Sequence, residues 1–193
     1  MFKDKFEIIY LILFVFISVI RKIHTRRYGG ENVKLKRGYI VDFILLIVVG
    51  VGMISPLIYI FSAWFDYANY YLPEVLRWIG VVFFLSACWL LWRTHADLGK
   101  NWTYTYGTKE DQKLVKDGVY KYIRHPMYAS HILWAIAQLL IIPNWFAGYS
   151  FLVFSTLLCL YRIPREEKKM IEQFGEEYIN YTKKTGYILP KLF

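Results

Sequence analysis

Two short polar clusters beside apolar stretches contain the residue types that bind small charged molecules. Residues 118–128 read Gly-Val-Tyr-Lys-Tyr-Ile-Arg-His-Pro-Met-Tyr, and residues 162–167 read Arg-Ile-Pro-Arg-Glu-Glu. Apolar residues separate the two clusters, so a helical hairpin would bring both to the same end of the molecule. Ionisable groups next to membrane-embedded helices are costly and therefore indicate a function.

The Arg124-His125-Pro126 segment predicts a helix that begins at Pro126 or Met127. Proline disfavours helical geometry in the residue before it and suits the first position of a helix. The first amides of such a helix have no intrahelical acceptor and attract anions, and Arg124 and His125 lie beside them. We expect a carboxylate-binding corner here. The alternative is that the proline only marks a helix start at the membrane interface.

The second cluster adds the opposite charge. Glu166 and Glu167 follow Pro164, which predicts a separate cytoplasmic helix with both glutamates in its first turn. That preference explains two carboxylates but does not explain Arg162 at membrane depth. Together the clusters offer one group for a carboxylate, one for an ammonium, and an aromatic surface, a set that suits a zwitterionic amino-acid moiety. The aromatic surface consists of Tyr120, Tyr122 and Tyr128.

The composition indicates an all-α integral membrane protein. Of the 193 residues, 56% are hydrophobic, above the roughly 45–50% of soluble domains. The apolar residues lie in five runs, which predict about five transmembrane helices in a single domain, residues 1–193. The last two runs are short, and the turn at Pro143-Asn144 predicts that they form a hairpin. The runs are residues 6–20, 40–64, 75–92, 129–142 and 147–161.

Smaller features lie between and after these runs. We expect turns at Tyr28-Gly29-Gly30 and at residues 97–102, and a short strand at residues 103–106. After Pro164 the apolar residues recur at helical spacing, which predicts an amphipathic C-terminal helix that ends at Thr185-Gly186. The apolar residues of that helix are Met170, Ile171, Phe174, Tyr178 and Tyr181.

The net charge of +9 follows a topological pattern. Lysine and arginine are abundant in residues 21–37, 93–124 and 162–191, whereas residues 66–74 and 143–145 contain none. This alternation predicts a multi-pass protein whose N-terminus lies outside and whose C-terminus and polar clusters are cytoplasmic. Topology and membrane lipid headgroups explain the basic residues, so no nucleic-acid partner is expected.

Other chemistries have less support from residue spacing. The histidines lack the spacing of zinc ligands, so no metal is expected. No glycine-rich segment precedes a helix in the manner of a phosphate-binding loop. Ser130 has no strand–turn–helix context, which argues against a hydrolase nucleophile.

Three motifs in order along the chain carry a family resemblance. They are Leu114-Val-x-x-Gly-Val-Tyr-x-x-x-Arg-His-Pro-x-Tyr128, Arg162-x-x-x-Glu166 and Phe174-Gly-Glu-Glu-Tyr178, preceded by Asp97-Leu-Gly-Lys-Asn-Trp102. This pattern resembles the isoprenylcysteine carboxyl methyltransferases and the wider group of membrane methyltransferases that includes phospholipid N-methyltransferases. The resemblance covers about residues 93–190. It implies a catalytic part in residues 93–193 that follows three spans in residues 1–92.

The resemblance implies an S-adenosylmethionine-dependent enzyme whose cytoplasmic loops and C-terminal helix form the cofactor site. Arg162, Glu166 and Glu167 would be catalytic, with Arg162 facing the acceptor carboxylate and Glu166, or Glu167 as a close second, holding the cofactor ammonium. The expected acceptor is an isoprenylcysteine or a similar amphiphilic acid that arrives through the lipid. Alternatives are N-methylation of a phospholipid or small lipid, and a sterol-reductase-like NADPH oxidoreductase. The implied cofactor-binding residues are Gln112, Lys113, Leu114, Val115, Gly118, Tyr120, Arg124, His125, Pro126, Met127, Tyr128 and Glu166.

Overall fold

The computed structural model describes residues 4–28, 39–99 and 113–191. Within these ranges the chain forms α-helices and two short 3₁₀ turns, Asp66–Ala68 and Gly118–Lys121, and no β-strand. The α-helices are α1 (Lys5–Tyr28), α2 (Tyr39–Phe61), α3 (Glu74–Leu98), α4 (Pro126–Ile141), α5 (Ser150–Phe174) and α6 (Glu176–Lys184).

Each of the five predicted apolar runs coincides with one of the helices α1 to α5, which confirms the all-α class and the order of the helices. By length and composition, Ile40–Phe61 and Glu74–Leu98 could each cross a membrane, and α4 is a shorter apolar helix. Three helices, α1, α3 and α5, continue beyond their apolar runs into charged residues. The runs mark where side chains are apolar, whereas backbone hydrogen bonding continues through charged residues with good helix propensity.

Pro164 does not begin a new helix, so that prediction was wrong. It lies inside α5, which continues to Phe174. A helix tolerates proline where other groups can satisfy the carbonyl one turn earlier. That carbonyl belongs to Leu160 and lacks its usual helical donor, because Pro164 has no N–H. The break comes instead at Gly175, whose φ of +52° favours glycine, so Glu166 and Glu167 lie on α5 and not in a first turn.

The loop after α3 begins later than predicted. Asp97 and Leu98 are helical, and Gly99 ends the helix with a φ of +51° and an N–H that donates to the carbonyl of His95. The rest of the predicted turn, the predicted strand at residues 103–106, and Gly29-Gly30 lie outside the described residues. The last helix ends as expected, with Thr185 after Lys184.

Contacts at opposite ends of the bundle show that α1 and α3 run in the same direction and that α4 runs opposite to α3. At one end, Arg77 of α3 pairs with Asp4 at 2.6 Å and donates to the carbonyl of Ile141, where α4 ends. At the other end, the rings of His24 in α1 and His95 in α3 stack with centroids 4.9 Å apart. The C-terminal end of α3 and the N-terminal end of α4 therefore lie together at this second end.

A backbone carbonyl in the middle of α2 joins four helices. Pro56 has no N–H, so the carbonyl of Gly52 lacks its usual helical partner. That carbonyl accepts hydrogen bonds from Gln138 of α4 at 3.0 Å and from Ser150 of α5 at 3.2 Å. The Gln138 side chain in turn accepts a hydrogen bond from Tyr10 of α1 at 2.8 Å. Buried polar groups of this kind hold membrane helices together where apolar packing alone is not selective.

Asn144 builds the turn between α4 and α5, at the position predicted from Pro143-Asn144. Its Oδ1 atom accepts the amides of Phe146 and Ala147, both at 3.0 Å. Its Nδ2 atom donates to the carbonyl of Phe65 at 2.6 Å. The side chain is fully buried, and it ties the hairpin to the segment after α2.

Two glycines of α2 provide a matched test of this packing. A Cβ atom on Gly52 would lie 2.9 Å from the Cα of Phe151 in α5, whereas Gly50 faces open space. We predict that Gly52→Ala lowers the free energy of unfolding by about 1–3 kcal/mol, because backbone atoms must move apart. Gly50→Ala should leave stability unchanged or raise it slightly. Thermal unfolding midpoints in one detergent check this, and equal midpoints for the two variants would contradict it.

Candidate functional site

The start of α4 leaves backbone donors at one end of the bundle. The helix begins at Pro126, as predicted, with His125 as the residue before it. Pro126 has no N–H, and the amide of Ala129 is already bonded to the carbonyl of His125. The amides of Met127 and Tyr128 therefore remain as the first-turn donors that helix geometry does not satisfy. Such amides favour an anion.

Residues 185–187, which we call the C-terminal strap, run beside this helix start. The amide of Arg124 donates to the carbonyl of Gly186 at 2.9 Å, and the amide of His125 donates to that of Tyr187 at 3.0 Å. The Arg124 guanidinium donates to the carbonyl of Thr185 and lies 4.3 Å from the Tyr187 ring centroid. The sequence did not predict this contact, because pairing over two or three residues leaves no periodic pattern.

Glu167 connects three segments through one carboxylate oxygen. Its Oε1 atom accepts hydrogen bonds from Arg124 Nε at 3.0 Å and from the Tyr178 hydroxyl at 2.7 Å, and lies 2.7 Å from His125 Nε2. Burial alone would raise the pKa of Glu167, but the hydrogen bonds from His125, Tyr178 and Arg124 outweigh it and lower the pKa to about 2. Glu167 is therefore ionised, and its Oε1 atom has contacts to three side chains.

Glu166 differs from its neighbour in both contacts and exposure. It accepts a hydrogen bond from the Tyr128 hydroxyl at 2.5 Å, and its Oε2 atom lies 3.7 Å from His125 Nδ1. The side chain is 29% exposed, compared with 11% for Glu167. Burial raises the pKa of Glu166 despite the opposing effect of His125 and Arg162. The structure thus distinguishes the two glutamates, whose orientation the sequence could not predict.

Arg162 pairs with a residue that the sequence analysis missed. Its Nε atom donates to Oδ1 of Asp42 in the first turn of α2 at 3.0 Å, and both side chains are about 10% exposed. Asp42 is an acidic residue within an otherwise apolar helix. That feature marks functional sites in membrane proteins and was the available signal.

The turn that carries Tyr120 is fixed by Asp97 at the end of α3. The Asp97 carboxylate accepts the amide of Val119 at 2.9 Å. A Cβ atom on Gly118 would lie too close to Oδ2 of Asp97 for any side chain to fit. Gly118 also has a φ of +61°, a backbone conformation that favours glycine. The carbonyl of Tyr120 accepts a hydrogen bond from the Tyr181 hydroxyl at 2.6 Å. The Tyr120 side chain is buried as a result.

The remaining predicted residues are less closely grouped. Lys113 is exposed, and Leu114 and Val115 are half-buried in the segment that leads to this turn. Tyr122 is 59% exposed, so the predicted aromatic surface is divided between a buried Tyr120 and an exposed Tyr122. Gln112 lies outside the described residues.

The site therefore combines two arginines, three carboxylates, a histidine and free helix amides at one end of the bundle. Within residues 4–28, 39–99 and 113–191, no group of three or more histidine, cysteine, aspartate or glutamate side chains could hold a metal ion. Such a set can bind a small zwitterion and orient a second charged molecule. The fold and the site together define a helical membrane protein with a cluster of charged side chains, a candidate binding site, at one end of its bundle.

Comparison with known proteins gives the family. Residues 78–172 match the model of the Isoprenylcysteine carboxyl methyltransferase (ICMT) family. This region, which holds Arg124, His125, Arg162 and both glutamates, matches that family, and the resemblance predicted from the sequence is confirmed.

Three similar proteins agree with this assignment. The chain is 33% identical over 97 residues to a protein-S-isoprenylcysteine O-methyltransferase of Schizosaccharomyces pombe, a match that covers 48% of this chain and 40% of the relative. It is 38% identical over 97 residues to the Saccharomyces cerevisiae enzyme of the same name, covering 48% and 39%. The solved eukaryotic intramembrane Ras methyltransferase ICMT has a TM-score of 0.58 at 19% identity, over 94% of this chain and 67% of that one. The chain thus has the membrane fold of that structure and spans about two fifths of the yeast relatives.

The low pKa of Glu167 predicts how stability depends on pH. Because the folded-state pKa lies below the ordinary value, the stabilisation is present above about pH 4.5 and is lost as the pH falls toward 2. We predict that Glu167→Gln costs on the order of 3 kcal/mol near pH 7 and that the difference from the wild type shrinks below pH 4. Glu172→Gln, at an exposed position of α5, is the control. Denaturant unfolding at several pH values measures both, and a pH-independent difference for Glu167→Gln would contradict the prediction.

Proposed function

We propose that this chain is an integral membrane methyltransferase that uses S-adenosylmethionine to methylate the carboxylate of an isoprenylcysteine or a similar amphiphilic acid. The observation that carries this proposal is the position of Arg162 and Glu166 one turn apart on α5, with Tyr128 and His125 of the α4 start against Glu166. All four residues lie in the region that matches the family. Opposite charges on adjacent turns suit a site for a cationic donor and an anionic acceptor.

The amino-acid part of the donor fits the start of α4. The amides of Met127 and Tyr128, with His125 beside them, suit its carboxylate. Glu166 suits its ammonium, since this carboxylate is partly exposed and has fewer protein donors than Glu167. We therefore assign cofactor contact to Glu166 and an organising role to Glu167.

The nucleoside part of the donor fits the segment before α4. Leu114 and Val115 offer apolar surface, and Tyr120 offers an aromatic ring held by the Gly118 turn. Lys113 and Gln112 complete the predicted set, although Gln112 lies outside the described residues. Aromatic and apolar side chains of this kind are typical of nucleotide pockets.

The balance of charge also suits a cationic donor. Apart from the histidine, the acidic and basic side chains in contact are Arg124 and Arg162 on one side and Asp42, Glu166 and Glu167 on the other. The acidic side chains thus outnumber the arginines by one. A sulfonium donor with one ammonium and one carboxylate has a net charge of about +1, which suits this excess of acidic groups.

The residues present fit carboxyl methylation without a general base. A carboxylate is already ionised near neutral pH, so no proton must be removed before it attacks. When bound, the donor supplies an electrophilic methyl group. Arg162 orients the acceptor carboxylate, and the buried surroundings exclude water, which favours a reaction that disperses opposite charges. Methylation of a lipid amine would instead require a proton acceptor in the site.

We further propose that the apolar runs of α1 to α5 span the bilayer, with the N-terminus outside and the site, beyond the apolar run of α5, on the cytoplasmic side. The distribution of lysine and arginine supports this orientation. The short apolar helix α4 and the charged second half of α5 would place the site near the lipid headgroups. In that position a single domain can meet a water-soluble donor and a lipid-borne acceptor.

Transfer assays test the activity. Purified protein with tritiated S-adenosylmethionine should label a farnesylcysteine analogue as a base-labile ester and should leave phosphatidylethanolamine unlabelled. Calorimetry should detect S-adenosylhomocysteine and not NADPH. Base-stable label in phosphatidylethanolamine would support lipid N-methylation instead, and binding of NADPH alone would support a reductase.

Substitutions in α5 test the two roles separately. Arg162→Lys keeps the charge beside Asp42 but loses the planar fork, so the KM for the acceptor should rise about tenfold, or about 1.4 kcal/mol. Glu166→Gln should weaken S-adenosylhomocysteine about tenfold or more, because a charge-assisted hydrogen bond contributes roughly 1.5–3 kcal/mol. The exposed Glu172→Gln should change neither value. Equal loss of cofactor affinity in both site variants would refute this division of roles.

A further inference from the structure

Asp42 contributes to the site from a helix outside the family region. The matched region begins at residue 78, whereas Asp42 lies in the first turn of α2. It is 7% exposed and pairs with Arg162 across the α2–α5 contact. A charge buried in an otherwise apolar helix is costly, so its presence requires a physical reason.

Stability alone is an insufficient reason for this ion pair. The helices α2 and α5 already meet through the close approach of Gly52 to Phe151 and the hydrogen bond from Ser150 to the Gly52 carbonyl. Buried ion pairs add little net stability, because desolvation offsets most of the attraction between the charges. The pair therefore needs a role beyond joining two helices.

The choice of partner for Arg162 suggests that role. Glu166 lies four residues later on the same helix, the spacing at which arginine and glutamate commonly pair. Arg162 nevertheless pairs with Asp42, which is 120 residues away in the sequence. The carboxylate of Glu166 is bonded to the Tyr128 hydroxyl instead. Asp42 thus competes with Glu166 for the guanidinium group.

We infer that Asp42 is a positioning residue that binds Nε of Arg162 and so prevents the guanidinium from pairing with Glu166. This inference rests on the proposed function, in which Arg162 receives the acceptor and Glu166 receives the donor. The Nε contact holds one edge of the guanidinium, and the terminal nitrogens, which lie beside the Tyr128 hydroxyl, can donate to an acceptor carboxylate. Asp42 itself does not touch the acceptor.

Kinetics of Asp42 variants test the inference. In Asp42→Ala, Arg162 is expected to pair with Glu166, so the KM for a farnesylcysteine analogue should rise about tenfold, with kcat within about twofold. The dissociation constant of S-adenosylhomocysteine should rise about threefold. Asp42→Asn retains an oxygen for Nε and should raise the KM only about threefold. If Asp42→Ala does not fold, Asp42→Asn decides, and a wild-type KM in that variant overturns the inference.

Asp4→Ala is the matched control, because it breaks the Asp4–Arg77 pair at the opposite end of the bundle. It should lower the thermal midpoint without changing the KM. If Asp42→Ala behaves like Asp4→Ala, or if its KM is unchanged or lower, Asp42 does not position Arg162. A wild-type protein that transfers no methyl group contradicts the proposed function, whereas an active wild type with a normal KM in Asp42→Ala contradicts only this inference.

A double substitution tests the competition itself. In a Glu166→Gln background Arg162 has no carboxylate to close onto, so Asp42→Ala should change the dissociation constant of S-adenosylhomocysteine less than twofold. A threefold change in that background as well would show that Asp42 acts by another route and would overturn the inference.

Discussion

One carboxylate oxygen, that of Glu167, contacts side chains from the start of α4 and from α6 while itself belonging to α5. A buried carboxylate is tolerable only while its donors remain in place, so these segments must stay together. Arg124 is held by Glu167 and in turn holds the C-terminal strap through Thr185. The rest of the site depends on this cluster, because it fixes both the first turn of α4 and the face of α5 that points toward it.

Glu166 and Glu167 are adjacent in the sequence but differ in exposure and in pKa. Successive helical residues point about 100° apart, so Glu166 meets Tyr128 while Glu167 meets Arg124 and Tyr178. The two ring nitrogens of His125 face one glutamate each. Glu166 keeps partial exposure and a raised pKa, whereas Glu167 is buried and ionised. The two arginines also have different partners, since Arg124 pairs with Glu167 and Arg162 pairs with Asp42. The site thus holds several charged side chains close together, each with defined partners.

Sequence patterns predicted those features of the structure that depend on residues close together in the chain. Hydropathy located the five helices, Pro126 marked the start of α4, and Pro143-Asn144 marked the hairpin turn. The continuity of α5 through Pro164 could not be predicted, because proline has the same local signature at a helix start and within a tolerated kink. The Asp42–Arg162 pair joins residues 120 positions apart, and no local pattern encodes a partner at that distance.

The C-terminal strap has a consequence for the order of assembly. Residues 123 and 186 pair directly, although 63 positions separate them, so the helices α1 to α5 are all synthesised before the backbone beside His125 has its partner. During translation the Arg124-His125 corner remains open until residues 185–187 have left the ribosome. This corner is then among the last parts of the structure to form.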